Sequence, residues 1–299
     1  MILLSGANGY LGGHIISQSA PGKLITTARH IQPVHPAFEH FPSRNDQDIA
    51  SLPWSRTRAV VNVVSRVNGD EAMLHDANVE FATKLASAAR LAGVKKFVQV
   101  SSFSVFGLTE TISRQSRIQP DSAYGRSKRA GELSLMALRN PEFEPVSVRL
   151  PFMFDEGRPS FLGQLLSFCA KFSVWPSTEA GFRRSMITYG DAARTLLHVI
   201  ETHEKGQIAA ASPDFFDYQL LTKLIYEETR RSLKIINVPS PILFAMKKMA
   251  PSAHQRLFQS SILNPEYNIA STVPEIIGIE PKLRQLVRRY YDQSKTPIH

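Results

Sequence analysis

The sequence predicts an α/β protein: a doubly wound parallel sheet, followed by a smaller region of mixed α/β elements. Three observations predict it. Short apolar runs alternate with helical stretches through the first half of the chain. The first run sits at the N-terminus and leads at once into glycines spaced three apart. After Pro151 the alternation loosens, so residues 1–157 read as the sheet domain and residues 158–299 as a second region beside it.

The elements follow in order. Residues 1–5 form a short apolar strand, and Gly6-Ala7-Asn8-Gly9-Tyr10-Leu11-Gly12 opens a helix that runs to about Ser19. Glycines let this turn approach a pyrophosphate, and the helix N-terminus offers free N–H groups. Strand, glycines and helix together are a Rossmann-like dinucleotide signal; a plain glycine-rich turn is the other reading. Residues 23–28 form the second strand, running into Arg29 and His30 with no acid until Glu39. An NAD site usually places an acid there for the ribose 2′-hydroxyl. Arg29 instead suits a 2′-phosphate, which favours NADP(H) over NAD(H). Residues 31–57 hold four prolines and little periodicity, with Asp48-Ile49 placed near an adenine. Residues 59–64 are a buried strand. Residues 70–92 are a long helix with Met73, Ala77, Phe81, Leu85 and Ala88 inward, stopped by Gly93.

The next strand, residues 96–100, ends in Ser101-Ser102-Phe103-Ser104-Val105-Phe106-Gly107. Tyr124-Gly125-Arg126-Ser127-Lys128 begins the following helix, and residues 146–150 form a strand ending at Pro151. Beyond it come helices over 160–172, 190–202 and 218–229, strands over 207–211 and 234–238, and a last helix over 282–292. Trp175-Pro176 and Gly181 mark loops. The 190–202 helix is placed to pack back on the sheet domain. Residues 243–249 are amphipathic with two lysines: a core-facing helix on one reading, a membrane-surface contact on the other.

Tyr124 and Lys128 are four apart and share a helix face. A nearby ammonium lowers a phenol's pKa, and such a phenol exchanges a proton with an alcohol or carbonyl oxygen. Ser102 can hydrogen-bond the same oxygen. No side chain can supply a hydride, so the trio implies a nicotinamide cofactor. The plainer reading is a helix face beside a serine-rich strand end.

Composition narrows the class. The 299 residues are 43% hydrophobic and 20% charged, with a formal charge of +9. Basic residues are spread rather than blocked, which favours anionic small molecules over nucleic acid. Cys169 is the single cysteine; it excludes an internal disulfide and fits a reducing compartment. No His or Cys cluster has metal-ligand spacing. No apolar run approaches the roughly 20 residues of a membrane span. With a strand starting at Met1, the expectation is a cytoplasmic protein.

These segments resemble the extended short-chain dehydrogenase/reductase family, in its NAD-dependent epimerase/dehydratase branch. The resemblance runs nearly end to end. It rests on Gly6, Gly9 and Gly12, on Ser102 with Val105-Phe106-Gly107, on Tyr124 with Lys128, on Arg149-Leu150-Pro151, and on Arg184-Ser185-Met186 through Asp191. It implies that Ser102 and Tyr124 touch the reacting oxygen while Lys128 holds the nicotinamide ribose. It implies cofactor contacts from the glycines with Asn8, Tyr10 and Leu11, and from Val63, Val64 and Pro151. Phe103, Ser104 and Phe152 would lie beside the substrate, and Arg184 or its neighbour Arg183 would grip a diphosphate.

Departures sharpen this. Sugar dehydratases follow the catalytic hydroxyl with Asp-Glu, whereas this chain has Phe103-Ser104, which argues against dehydration. The family's frequent Tyr is Phe106. An epimerase retains NAD, while a reductase exchanges NADPH, so Arg29 favours a reductase. The segment from Trp175-Pro176 to Arg183-Arg184-Ser185 also resembles bacterial reductases of nucleotide-linked 4-keto sugars. The expected activity is reduction of a nucleotide-activated, UDP-linked 4-keto sugar in surface-polysaccharide synthesis. A UDP-hexose 4-epimerase with retained NAD is the alternative, followed by a non-sugar ketone reductase and a non-catalytic cofactor sensor. Relatives often pair through two long helices, so residues 70–92 and the Tyr124 helix are either a homodimer face or sheet-facing core.

Overall fold

The computed structural model describes residues 1–29, 35–155, 160–178, 181–249 and 257–293. The domain boundary expected at 157 lies outside them. The first half supplies β1 (Ile2–Ser5), α1 (Tyr10–Ser17), β2 (Leu24–Ala28), β3 (His40–Pro42), α2 (Asp46–Ala50), β4 (Ala59–Asn62), α3 (Glu71–His75), α4 (Phe81–Leu91), β5 (Lys96–Ser102), β6 (Thr111–Ile112), α5 (Ala123–Met136) and β7 (Glu144–Leu150). The rest supplies β8 (Phe152–Phe154), α6 (Phe161–Phe172), β9 (Val174–Ser177), β10 (Arg183–Thr188), α7 (Tyr189–Glu201), β11 (Gly206–Ala209), β12 (Phe215–Asp217), α8 (Tyr218–Thr229), β13 (Lys234–Asn237), α9 (Ser240–Met249), β14 (Ile262–Leu263) and a last helix, α10 (Glu280–Gln293).

Seven parallel strands form the main sheet in the order β11-β7-β5-β4-β1-β2-β3. Its strands are apolar on both faces because helices cover both. Leu4, Val61, Val98 and Val148 meet α1 and α7 on one side. Leu3, Ile25, Val60 and Phe97 meet Ile49 of α2, Leu85 of α4 and Leu135 of α5 on the other. The order reverses at β1, which pairs with both β2 and β4, so the ligand crevice of such a sheet opens at the carboxyl ends of these strands. The second half of the chain closes the first: α7 packs on α1, and β11 extends the sheet beyond β7.

The long helix expected over 70–92 is interrupted by a π turn at Asp76–Glu80. Its buried stripe is Leu74, Asn78, Ala82, Leu85 and Ala89, while Met73 is 45% exposed. The inward face therefore sits one residue from the expected one in the first turns. Asn78 takes the inward position because its amide has partners there: it donates to the Arg66 carbonyl and to Ser127 Oγ, and accepts from the Arg66 N–H. Trp175-Pro176, expected as a loop, is strand β9, paired with β13. A two-stranded sheet leaves each strand an open edge, where proline is tolerated. Trp175 packs against Phe182 and Phe216 in a second core with Leu166 and Leu283. Cys169 is sealed in that core, where burial pushes its thiol up to about 12. Helix α9 does not face a core, since none of its residues is buried.

One buried ion pair ties β7 to α5. Arg149 donates to both oxygens of Glu132 at 2.8 Å, and Ser101 and Arg129 donate at 2.7 and 3.1 Å. Burial pushes the Glu132 carboxyl up, yet these donors hold it below its usual value. Removing one partner of such a pair strands a charge in the interior. Arg149→Met should destabilise the fold by about 3–5 kcal/mol at neutral pH in urea titrations. The loss should shrink at mildly acidic pH, because a lone buried carboxyl has a raised pKa and protonates early. An equal loss at both pH values would contradict this account.

Candidate active site

Ser102 is the last residue of β5. Its Oγ accepts the Ser104 N–H at 3.1 Å, capping the turn over Phe103–Phe106, and donates to Ser104 Oγ at 3.1 Å. Ser122 caps α5 by accepting the Gly125 N–H at 3.1 Å, which sets Tyr124 in the first helical turn. A Cβ on Gly125 would lie 2.4 Å from the Ser104 carbonyl oxygen. Glycine there lets the helix start sit directly on the turn after β5, which brings Tyr124 to Ser102. Lys128 follows one turn later. It is 3% exposed, and its Nζ donates to Ser65 Oγ at 3.4 Å.

Ser65 and Asn78 were not foreseen. Ser65 follows β4, and its hydroxyl reaches Asn78 Oδ1 at 3.1 Å. The hydroxyls of Ser65 and Ser102 lie beside the Tyr124 phenol and pull its pKa down. Asn78 sits in the π turn, a helix irregularity often found at functional sites. The signal available in the sequence was a polar residue on the inward stripe of an otherwise apolar helix.

The electrostatics differ from expectation. Burial raises the Tyr124 phenol, opposed by the neighbouring Ser65 and Ser102 hydroxyls, so it remains protonated through neutral pH. The expected lowering by Lys128 does not arise, because the ammonium is directed to Ser65. Burial also lowers Lys128 to about 8, with Glu132 one turn further along α5 pulling it back up.

The first loop fits a dinucleotide. Gly9 precedes α1 with no side-chain cap, as suits a helix N-terminus that receives an anion. A Cβ on Gly12 would lie 2.4 Å from the Gly6 carbonyl oxygen, so the close turn requires glycine. Asn8 and Gly9 are exposed, Tyr10 packs edge-on against Tyr189, and Leu11 is buried. A hollow of about 410 Å³ opens over Asn8, Gly9 and the flank of α1. Val63 and Val64 follow β4, the latter donating its N–H to Asn62 Oδ1, and Pro151 is buried after β7.

At the outer edge, Arg29 is exposed just past β2. The acids nearby are engaged: Glu39 by both guanidinium nitrogens of Arg56 at 2.7 and 2.8 Å, and Asp48 by Arg44 at 2.8 Å. Ile49 faces the core rather than this edge. Thr27 and Ser43, near the ends of β2 and β3, carry buried hydroxyls with no hydrogen-bond partner among the described residues.

The other expected residues divide. Ser104 is beside Ser102. Phe103 is 8% exposed, packed with Phe106, Leu263 and Tyr267. Phe152 is half-buried and pairs with Met186 of β10. Arg183 and Arg184 are neighbours on β10 and point to opposite faces. Arg183 lies over the Phe215 ring and 3.9 Å from Asp217, while Arg184 donates to the Gln259 carbonyl at 2.9 Å.

Residues 2–210 match a sequence model described as the NAD dependent epimerase/dehydratase family. A curated protein of Sinorhizobium fredii, the uncharacterized y4nL, is 25% identical over 98% of this chain and 94% of its own. Two solved structures share the fold over 99% of both chains. A UDP-glucuronic acid 4-epimerase from Bacillus cereus in complex with NAD has TM-score 0.72 and 15% identity. A dTDP-4-dehydrorhamnose reductase from Clostridium acetobutylicum has TM-score 0.68 and 19% identity.

Two measurements check the site. With isotopically labelled lysine, one NMR resonance should titrate near pH 8 and should vanish in Lys128→Met. Gly125→Ala should push α5 off Ser104 and change the environment of Tyr124, without the global loss predicted for Arg149→Met; an unchanged tyrosine spectrum would contradict the close packing.

Proposed function

The chain belongs to the NAD dependent epimerase/dehydratase family, and on that premise we propose that it is an NADPH-dependent reductase of a nucleotide-activated, UDP-linked 4-keto sugar, serving surface-polysaccharide synthesis in the cytoplasm. The observation that carries the cofactor choice is at the edge of the sheet. Arg29 is an exposed guanidinium just past β2, which suits a 2′-phosphate, and Glu39 and Asp48 further along the chain are held by Arg56 and Arg44. Neither carboxylate is free to hold a ribose 2′-hydroxyl.

When bound, the nicotinamide supplies the hydride that no side chain can. The chain's residues do the rest. The amides at the start of α1 hold the pyrophosphate. Lys128, charged below about pH 8, holds the nicotinamide ribose through its ammonium. Ser102 donates to the carbonyl oxygen of the substrate and fixes its position. Tyr124, kept protonated by burial, passes its proton to that oxygen as negative charge develops. The phenol is protonated at neutral pH, the state from which a proton donor must start. Ser65 takes a hydrogen bond from Lys128 and lies beside the Tyr124 phenol, which supports it as a route by which the phenol regains its proton. Arg184, or in its place Arg183 on the opposite face of β10, offers its guanidinium group to the diphosphate of the nucleotide.

Tyr124→Phe should lower turnover by about 10²- to 10⁴-fold while NADPH affinity stays nearly unchanged. Equal turnover would remove the phenol from the mechanism. Arg29→Ala should weaken NADPH about ten- to hundredfold and leave NADH nearly unaffected, as expected for a lost charged hydrogen bond. On the pH axis, kcat/KM should fall about tenfold per unit above pH 8, because Lys128 loses its charge there.

A further inference from the structure

Helix α9 is apolar, yet none of its residues is buried among the described residues. Ile242, Phe244 and Met249 are 51%, 61% and 86% exposed, and only Leu243 and Met246 are half-covered. At the α-helical pitch, Phe244, Lys248, Ala245, Met249 and Ile242 fan over one outward arc of about 160°. An exposed apolar helix face of this kind marks an interaction site.

Charge selects the partner. Between Glu228 and Glu266 the sequence has no acidic residue, but it has Arg230, Arg231, Lys234, Lys247, Lys248 and Arg256. A second copy of the chain would bring two such segments face to face, with like charges opposed. An anionic surface is complementary to both properties. The Lys248 ammonium lies 4.7 Å over the Phe244 ring, which keeps a positive charge directly on the exposed apolar face. No helix among the described residues is long and apolar enough to cross a bilayer. We propose that α9 docks on an anionic phospholipid bilayer, its axis in the plane of the interface, with Ile242, Phe244 and Met249 entering the acyl boundary and Lys247 and Lys248 meeting phosphate headgroups. This surface is independent of the reductase reading.

Co-sedimentation of the full chain with vesicles tests it, comparing phosphatidylcholine alone with phosphatidylcholine containing phosphatidylglycerol. Binding should appear only with the anionic vesicles and weaken as salt is raised. Lys247→Gln with Lys248→Gln should lower the association constant about thirtyfold, a factor of about five per surface charge. Phe244→Ser should also weaken binding, with circular dichroism and melting temperature unchanged. Absence of sedimentation with anionic vesicles, or binding indifferent to all three substitutions, would overturn the proposal. So would a dimer in sedimentation velocity that Phe244→Ser dissociates, because α9 would then be covered by a second copy.

Discussion

The Glu132 carboxylate is sealed between sheet and helix with 1% of its surface exposed, and it stays ionised because Arg149 grips both of its oxygens. Much of the local geometry depends on that arrangement. Ser101, which donates to the same carboxylate, is the residue before Ser102. Lys128 is one turn before Glu132 on α5. A single charge therefore fixes the end of β5 and the start of α5 together, and it supports the buried ammonium above it. A hydrophobic substitute of equal volume would fill the space without setting this register, since only directed donors specify where each element stops.

The second dependence is steric. Glycine at position 125 allows α5 to rest on the Ser104 carbonyl, and glycine at position 12 allows α1 to rest on Gly6. Both contacts occur at the carboxyl edge of one parallel sheet, and both bring a helix N-terminus close to a strand end. The site is thus a property of the sheet edge. The hydroxyls of Ser65, Ser102 and Tyr124 converge because their elements end there.

Much of this was legible in the sequence, for reasons that can be named. The parallel sheet was written in runs such as Phe97-Val98-Gln99-Val100, apolar because both faces are covered. Tyr124 and Lys128 were legible because four-residue spacing on a helix is local information. Ser65 and Asn78 were not, since their meeting with Lys128 depends on contacts far apart in the chain. The direction of the Tyr124 shift was misjudged for a related reason: the sequence shows a lysine four residues away, but not that burial outweighs it or that the ammonium turns to Ser65. Helix α9 shows another limit. Its apolar spacing suits a core or a membrane surface equally well, and only packing distinguishes the two.

A reductase consumes an exchangeable nicotinamide cofactor, whereas an epimerase borrows a hydride and returns it. The most direct test is stoichiometry. The purified protein is incubated with NADPH and UDP-linked 4-keto sugar, and separately with UDP-hexose alone. The account predicts one NADPH oxidised for each keto sugar consumed, and no interconversion of UDP-hexoses without added cofactor. Interconversion of UDP-hexoses by the protein as purified, with NAD retained and no net oxidation of NADPH, would contradict it.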